Sequence, residues 1–309
     1  VVPSITNMII SFNVKSTSDL IFFNHIVNIG MASLNKKVNS SNILSLYLSH
    51  DTAATYIDKN DKIKVLEYER FVKQRYGAFS TALSYRDGLG TTDDQRRDFL
   101  QYIKDNVKDK IKLILINSVI ADDVSFILEY FPDVDITLVS HHDAHAASGF
   151  YTSNFKEATV LSFDGGGPDA NSDVCFTRSY HCKDNSTERV QNYPYSLGIP
   201  YGHLAKCIKE IKAGPDCEEH SLVYSGKIMG LCGYGDIREE WIQPMFNYYK
   251  NNQTQGNSLS ILGKEINLTL ELNSIEGQDA YDLAATSQHI FEQSAFVIIN
   301  DLIKSGLPL

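Results

Sequence analysis

Apolar and polar residues sort into short blocks from Ile43 onward, and the period of the blocks changes along the chain. Residues 43–49 are a compact apolar run, and residues 55–57 can continue the same sheet. Asp58-Lys59-Asn60-Asp61 reads as a turn, after which residues 63–68 alternate as a strand. Thr92 followed by Asp93 and Asp94 is a helix start, with Phe99, Tyr102, Ile103 and Val107 as its apolar stripe. Residues 113–116 form a buried-strand run, residues 124–130 a helix stopped by Pro132, and residues 136–139 another strand. Three early strands followed by alternating helix and strand predict a mixed sheet covered by helices.

A second unit begins near Ala158. Residues 159–163 read as a strand ending in Asp164-Gly165-Gly166-Gly167, and residues 174–179 and 189–193 as further strands. Lys183-Asp184-Asn185-Ser186 is a turn, and helices are expected around residues 201–211 and 281–303. Each unit opens on a buried strand with an acid at its end, Asp51 in the first and Asp164 in the second. That repetition predicts a duplicated α/β fold with a ligand between the halves. The expected division is an extension over residues 1–40, a first half over 41–156 and a second half over 157–309. Residues 1–40 carry weak periodicity, and the native start is expected near Met31. Few late strands precede Leu309, so the second half reads as incomplete.

Composition narrows the function classes. The chain is 43% hydrophobic and 21% charged, which suits a soluble globular protein of about two domains. A net charge of −10 and the lack of a long basic run argue against nucleic acid as the main partner. No stretch approaches the roughly 20 apolar residues that span a bilayer, and Val1-Val2-Pro3 does not open a signal peptide. Five cysteines without a CxxC pair fit reduced thiols in a cytoplasm, with Cys232 expected in core packing.

The chemistry concentrates at His141-His142-Asp143-Ala144-His145-Ala146-Ala147-Ser148. His141 and His145 are four apart, so on a helix they share a face and can bind one cation. Their place just after a strand aims them at the carboxyl edge of the sheet, where open α/β sheets hold ligands. His142 lies about 100° round the helix and reads as structural. Asp164 is the natural third ligand, and two imidazoles with one carboxylate suit Fe(II), with Zn(II) and Mn(II) as alternatives. The competing reading is a histidine-rich helix cap facing solvent. The absence of HExxH disfavours a zinc protease. Gly165, Gly166 and Gly167 allow close backbone approach, with an ordinary tight turn as the alternative.

This histidine segment resembles the HHxxHAAS stretch of the O-carbamoyltransferases of the nodulation-protein-U and antibiotic carbamoylation family. Four other stretches resemble that family in order. Ser49-His50-Asp51-Thr52-Ala53-Ala54 is similar to HDxSAA, with Thr52 one place ahead of the usual serine. Glu67-Tyr68-Glu69-Arg70-Phe71 is similar to EEERF, with Tyr68 in place of an acid. Gly226-Lys227-Ile228-Met229-Gly230-Leu231, followed by Gly233-Tyr234-Gly235, is similar to GKxMGL, and Asp282-Leu283-Ala284-Ala285-Thr286-Ser287-Gln288 to DLAATxQ.

The resemblance implies a duplicated actin-like ATPase (RNase H-like) fold. It implies His141 and His145 as metal ligands, Asp164 beside the metal and a carbamoyladenylate, and His50 as the histidine acting in carbamoyl transfer. Lys227 is expected either to pair with phosphate or to be a solvated lysine near a helix start. The N–H groups of Gly165, Gly166 and Gly167 are expected to face phosphate or carbamoyl oxygens, and Tyr195-Ser196-Leu197-Gly198 to line the acceptor side. Carbamoyl phosphate, ATP and a hydroxyl-bearing sugar or natural product are the implied partners, with a homodimer as the expected assembly. Gly167-Pro168-Asp169 departs from the family, which carries an acid soon after DGxG. The family's GGVxLN motif, a further metal-binding aspartate and its carbamoyladenylate-forming domain are not found before Leu309, so the chain is expected to be an N-terminal part with little activity alone. Two rivals remain. Threonylcarbamoyl transfer to tRNA is disfavoured by the acidic charge and by the GKxMGL and DLAATxQ segments. A non-catalytic metal- or nucleotide-binding module would keep the shape without the turnover.

Overall fold

The computed structural model describes residues 10–12, 43–57, 62–74, 77–80, 91–107, 110–117, 121–168, 174–194, 196–211, 222–251 and 257–306. The expected start near Met31, the turn at residues 58–61, and Tyr195, Cys217 and Asp169 lie outside them. Two compact units are present. The first comprises Val1–Ser148, Pro168–Asp173 and Lys183–Thr187, and the second Gly149–Gly167, Val174–Cys182 and Glu188–Leu309.

The first unit contains the expected mixed sheet. Its strands are β1 (Ile10–Phe12), β2 (Ile43–Tyr47), β3 (Ala53–Ile57), β4 (Ile63–Glu67), β5 (Leu113–Asn117) and β6 (Asp135–Leu138), in the order β1-β6-β5-β2-β3-β4. β2, β5 and β6 run parallel, β2-β3-β4 is an antiparallel meander, and β1 adds an antiparallel edge from within the stretch read as an extension. Register stacks the apolar positions in rows. Leu66, Ala54, Leu46, Ile116 and Leu138 lie side by side across five strands, and Tyr56, Leu44, Ile114 and Ile136 form the next row. Because side chains alternate faces along a strand, both rows lie on one face. They form a single core with Phe99, Leu100 and Ile103 of α2 (Asp93–Asn106) and Val124 and Ile127 of α3 (Ala121–Tyr130).

Local chemistry explains the helix boundaries. Thr92 closes a capping box, its Oγ1 accepting from Gln95 N at 3.1 Å while Gln95 Oε1 accepts from Thr92 N at 2.9 Å. β4 ends at Glu67, one residue earlier than the strand reading, and Tyr68 opens the short helix α1 (Tyr68–Val72). Its ring sits 4.9 Å from Phe99 and its hydroxyl bonds Thr91, so the departure from the acidic family pattern is a core tyrosine. Burial raises its phenol pKa, opposed by the Thr91 bond and the Arg96 charge.

β7 (Glu157–Pro168), β8 (Val174–Lys183) and β9 (Ser186–Tyr193), most of whose residues belong to the second unit, form a sheet in that order. β7 does not stop at Phe163: it runs through the glycines to Pro168. Asp184, with φ 50°, makes the tight turn between β8 and β9 as expected. The helices are α5 (Gly198–Lys206), α6 (Leu222–Leu231), α7 (Glu239–Asn251), α8 (Asn257–Ile266) and α9 (Gln278–Lys304). α7 and α8 have no counterpart in the sequence reading, although Trp241, Met245, Tyr248 and Tyr249 are all buried at helical spacing. Cys232 is half-buried, its thiol 2.9 Å from the Met229 carbonyl, so it is not the core residue expected. The described cysteines form no disulfide, and burial pushes the Cys207 thiol up to about 12. Among the described residues no helix is long and apolar enough to cross a membrane.

Candidate functional site

Parallel pairing fixes where the first unit's chemistry collects. β2, β5 and β6 end at one sheet edge, with Tyr47 paired to Asn117 and Ile116 to Leu138. His50 follows β2 by three residues and His141 follows β6 by three, so both sit at that edge. β5 lies between their strands, and two strand spacings separate those strands by about 10 Å. Asn117 at the end of β5 donates Nδ2–H to the Val139 carbonyl at 2.7 Å, holding the segment between β6 and the histidine helix.

That helix, α4 (His141–Tyr151), starts at the first histidine. The Ala144 N–H donates to the Ser140 carbonyl at 3.0 Å, closing the first turn. One turn then brings His145 Nε2 to 3.1 Å from His141 Nε2, with ring centroids 4.6 Å apart and the planes at 83°. Two imidazole nitrogens this close either share a proton or share a cation. His142 is fully buried beneath them, as the helical spacing predicts for a structural ring.

His50 is held from both sides. Its Nδ1 lies 2.8 Å from Asp51 Oδ2 and its Nε2 lies 3.2 Å from the Tyr47 hydroxyl. In the Nδ1–H tautomer the ring donates to the carboxylate and its Nε2 accepts from the phenol. Tyr47 also places its ring 6.4 Å from that of His141, so one side chain links the two histidine positions. Sequence reading missed Tyr47; only the strand register shows that it faces this edge. Asp51 has φ 57°, a left-handed conformation uncommon outside glycine. The buried Thr52 supports this turn: its Oγ1 donates to the Ser49 carbonyl at 2.5 Å and accepts from Phe79 N at 2.9 Å. The displaced hydroxyl in the HDxSAA-like segment thus has a structural use.

In the second unit Asp164 lies on β7 and turns its carboxylate back onto its own chain, where it accepts the Gly166 N–H. That donor, one of those expected to face a ligand, is engaged inside the chain. Ser196, also buried, donates its hydroxyl to the Asp164 carbonyl at 2.9 Å. Lys227 sits in the middle of α6 rather than near its start, and its Nζ donates to the Ile211 carbonyl at 3.3 Å.

The DLAATxQ-like segment opens α9 and is spent on tertiary hydrogen bonds. Asp282 accepts from Asp236 N at 2.9 Å, Gln278 Nε2 at 2.7 Å and Arg238 Nη1 at 3.1 Å. Thr286 accepts from Arg238 N at 3.0 Å, Tyr249 OH pairs with Ser287 Oγ at 3.0 Å, and Tyr201 OH donates to Gln288 at 2.6 Å. Burial raises the Asp282 carboxyl pKa, but the donors from Asp236, Gln278 and Arg238 outweigh it and hold the group below its ordinary value. Gly235 packs so closely on this helix start that a Cβ would lie 2.0 Å from the Tyr281 carbonyl oxygen. The segment therefore clasps the loop that follows Gly233-Tyr234-Gly235.

Solved structures that the chain resembles include full-length HypF in its phosphate- and nucleotide-bound form, at 12% identity, covering 80% of this chain and 30% of that one, with a TM-score of 0.38. HypF of T.kodakarensis is similar at 15% identity, 79% and 32% coverage and a TM-score of 0.38. The chain thus spans about a third of the length of either structure. No curated protein matches it. Over residues 87–303, a span that contains the histidine, glycine-lysine and DLAAT-like segments, the chain matches the carbamoyltransferase N-terminus, and it belongs to that family.

Proposed function

We propose that this chain is the metal-holding N-terminal part of an ATP-dependent O-carbamoyltransferase built on a duplicated actin-like ATPase fold. The whole protein moves a carbamoyl group from carbamoyl phosphate, through carbamoyladenylate, to a hydroxyl of a sugar or natural product. His141, His145 and Asp164 hold one divalent ion, a donor set that suits Fe(II) and also accepts Zn(II) or Mn(II). When bound, the ion offsets negative charge on the phosphate of the mixed anhydride. The observation that carries this reading is the His141–His145 pair, with its two Nε2 atoms 3.1 Å apart at the start of α4.

The chain's own residues account for the proton. As the acceptor oxygen attacks the carbamoyl carbon, the bond from that carbon to the adenylate oxygen breaks and AMP leaves. The hydroxyl proton passes to His50 Nε2, which exchanges its bond from Tyr47 for one from the acceptor. Asp51 keeps the opposite nitrogen protonated and stabilises the imidazolium that results.

Two measurements on the full-length gene product test the proposal. Carbamoyl phosphate should support ATP/pyrophosphate exchange, and His145→Ala should lower affinity for iron or zinc by about tenfold or more. No exchange at all would leave only a binding module. Unchanged metal affinity in the variant would reject the ligand assignment. An acceptor screen with sugar hydroxyls, natural-product hydroxyls and tRNA as separate arms fixes the acceptor class, and turnover in the tRNA arm alone would overturn the O-carbamoyl reading.

A further inference from the structure

We infer that Ser196 and Gly198 are positioning residues for Asp164, so the segment expected to line the acceptor side instead aims the metal-binding carboxylate. This rests on the proposed role of Asp164 as a ligand. The Ser196 hydroxyl is fully buried and serves two elements at once. It donates to the Asp164 carbonyl at 2.9 Å and accepts the Ile199 N–H at 3.0 Å in the first turn of α5. One oxygen thereby ties β7 at the aspartate to the start of a helix.

Gly198, the first residue of α5, presses on the same stretch of backbone. A Cβ there would lie 2.6 Å from Gly165 N, 2.8 Å from Asp164 C and 3.0 Å from Asp164 O. All three are backbone atoms, so no side chain can swing aside to admit a methyl group. α5 is itself pinned to α9 by the Tyr201–Gln288 bond and by the Tyr201 ring, 5.3 Å from Phe291. Phe163, next to Asp164, rests on the same Phe291 ring at 5.8 Å. The aspartate is therefore braced at its carbonyl by Ser196, at its carboxylate by Gly166 N–H and at its backbone by the Gly198 approach. A metal ligand must be held to within about 0.5 Å, and these contacts contribute to that.

The test uses the whole chain with Co(II) as probe, reading dissociation constant and visible absorption, since the ligand-field spectrum reports coordination geometry rather than stability. Gly198→Ala should weaken cobalt binding about tenfold or more and change the spectrum, because the methyl group displaces the Asp164 backbone. Ser196→Ala should act in the same direction and serves if Gly198→Ala fails to fold; Ser196→Thr, which keeps the hydroxyl, should recover the spectrum. Gly263→Ala is the control: a comparably tight glycine on α8, where a Cβ would lie 2.5 Å from the Leu268 carbonyl oxygen, expected to lower thermal stability and leave the cobalt spectrum as it was. If Gly198→Ala and Ser196→Ala keep wild-type affinity and spectrum while His145→Ala and Asp164→Asn lose them, the positioning role is wrong and the metal site stands. If His145→Ala and Asp164→Asn also leave cobalt binding unchanged, the metal site itself is wrong and the inference falls with it.

Discussion

Removing the Asp123 carboxylate should destabilise the first unit by about 3 kcal/mol, and the structure sets that size. Arg96 on α2 places Nη2 2.6 Å from Asp123 Oδ1 on α3, with the two side chains only 2% and 0% exposed. The guanidinium carbon lies 3.8 Å from the centre of the Phe126 ring and 4.8 Å from that of Phe79, so it sits between aromatic faces. Breaking a buried pair by deleting one partner typically costs about 3–5 kcal/mol, because a desolvated charge is left behind. Arg96 keeps a second bond, to the exposed Asp93 at 3.3 Å, which puts Asp123→Ala at the lower end. In a unit of this size that should lower Tm by about 6–12 °C. Urea unfolding followed by circular dichroism measures it directly. The double variant Arg96→Met/Asp123→Leu should lie within about 1 kcal/mol of wild type, since the desolvation cost disappears with the pair. A single Asp123→Ala variant within about 0.5 kcal/mol of wild type, at unchanged m-value, would refute the reasoning.

Burial, followed by the neighbouring Lys206 charge, holds the His203 imidazole below its usual pKa, with Nδ1 3.2 Å from the Tyr248 hydroxyl. The unfolded chain takes up this proton near pH 6.5 and the folded chain only at lower pH, so His203 removes stability as pH falls through about 6.5 and ceases to do so below its folded pKa. The urea midpoint should therefore drop less between pH 8 and pH 5 in His203→Gln than in wild type; equal drops would contradict the assignment. Long-range proton–nitrogen spectra at about pH 8 should show His50 protonated at Nδ1, with Asp51→Ala releasing the ring to the Nε2–H form. Nε2 protonation in the wild-type protein would dismiss the Asp51 clamp.

What the sequence makes legible follows from how local each feature is. The β2, β5 and β6 runs are uninterrupted apolar stretches, and the Thr92 cap is a four-residue pattern, so both are readable without tertiary information. The His141–His145 pairing needs only helical periodicity. β7 is different: glycines weaken a strand by local preference, yet pairing with β8 carries the strand through them. Pro244 inside α7 reads as a breaker and hides a stripe of Trp241, Met245 and Tyr248 that is otherwise plain. Tyr47, Ser196 and Gly198 owe their importance to register and close approach between distant segments, and no spacing rule reports that. Lys227 is singled out by motif alone, and its bond to the Ile211 carbonyl, sixteen residues away, leaves no mark in the neighbouring sequence.

Within two turns near its start, α9 commits Asp282, Thr286, Ser287 and Gln288 to partners on three other parts of the second unit. Seven consecutive residues rise only about 11 Å along a helix axis. Small rotations of this one rod would thus be felt together by the Arg238 loop, by Tyr249 in α7 and, through Tyr201 and α5, by the backbone around Asp164. Substitutions at these four positions should fail to add, because each loosens the same hub from which the others hang.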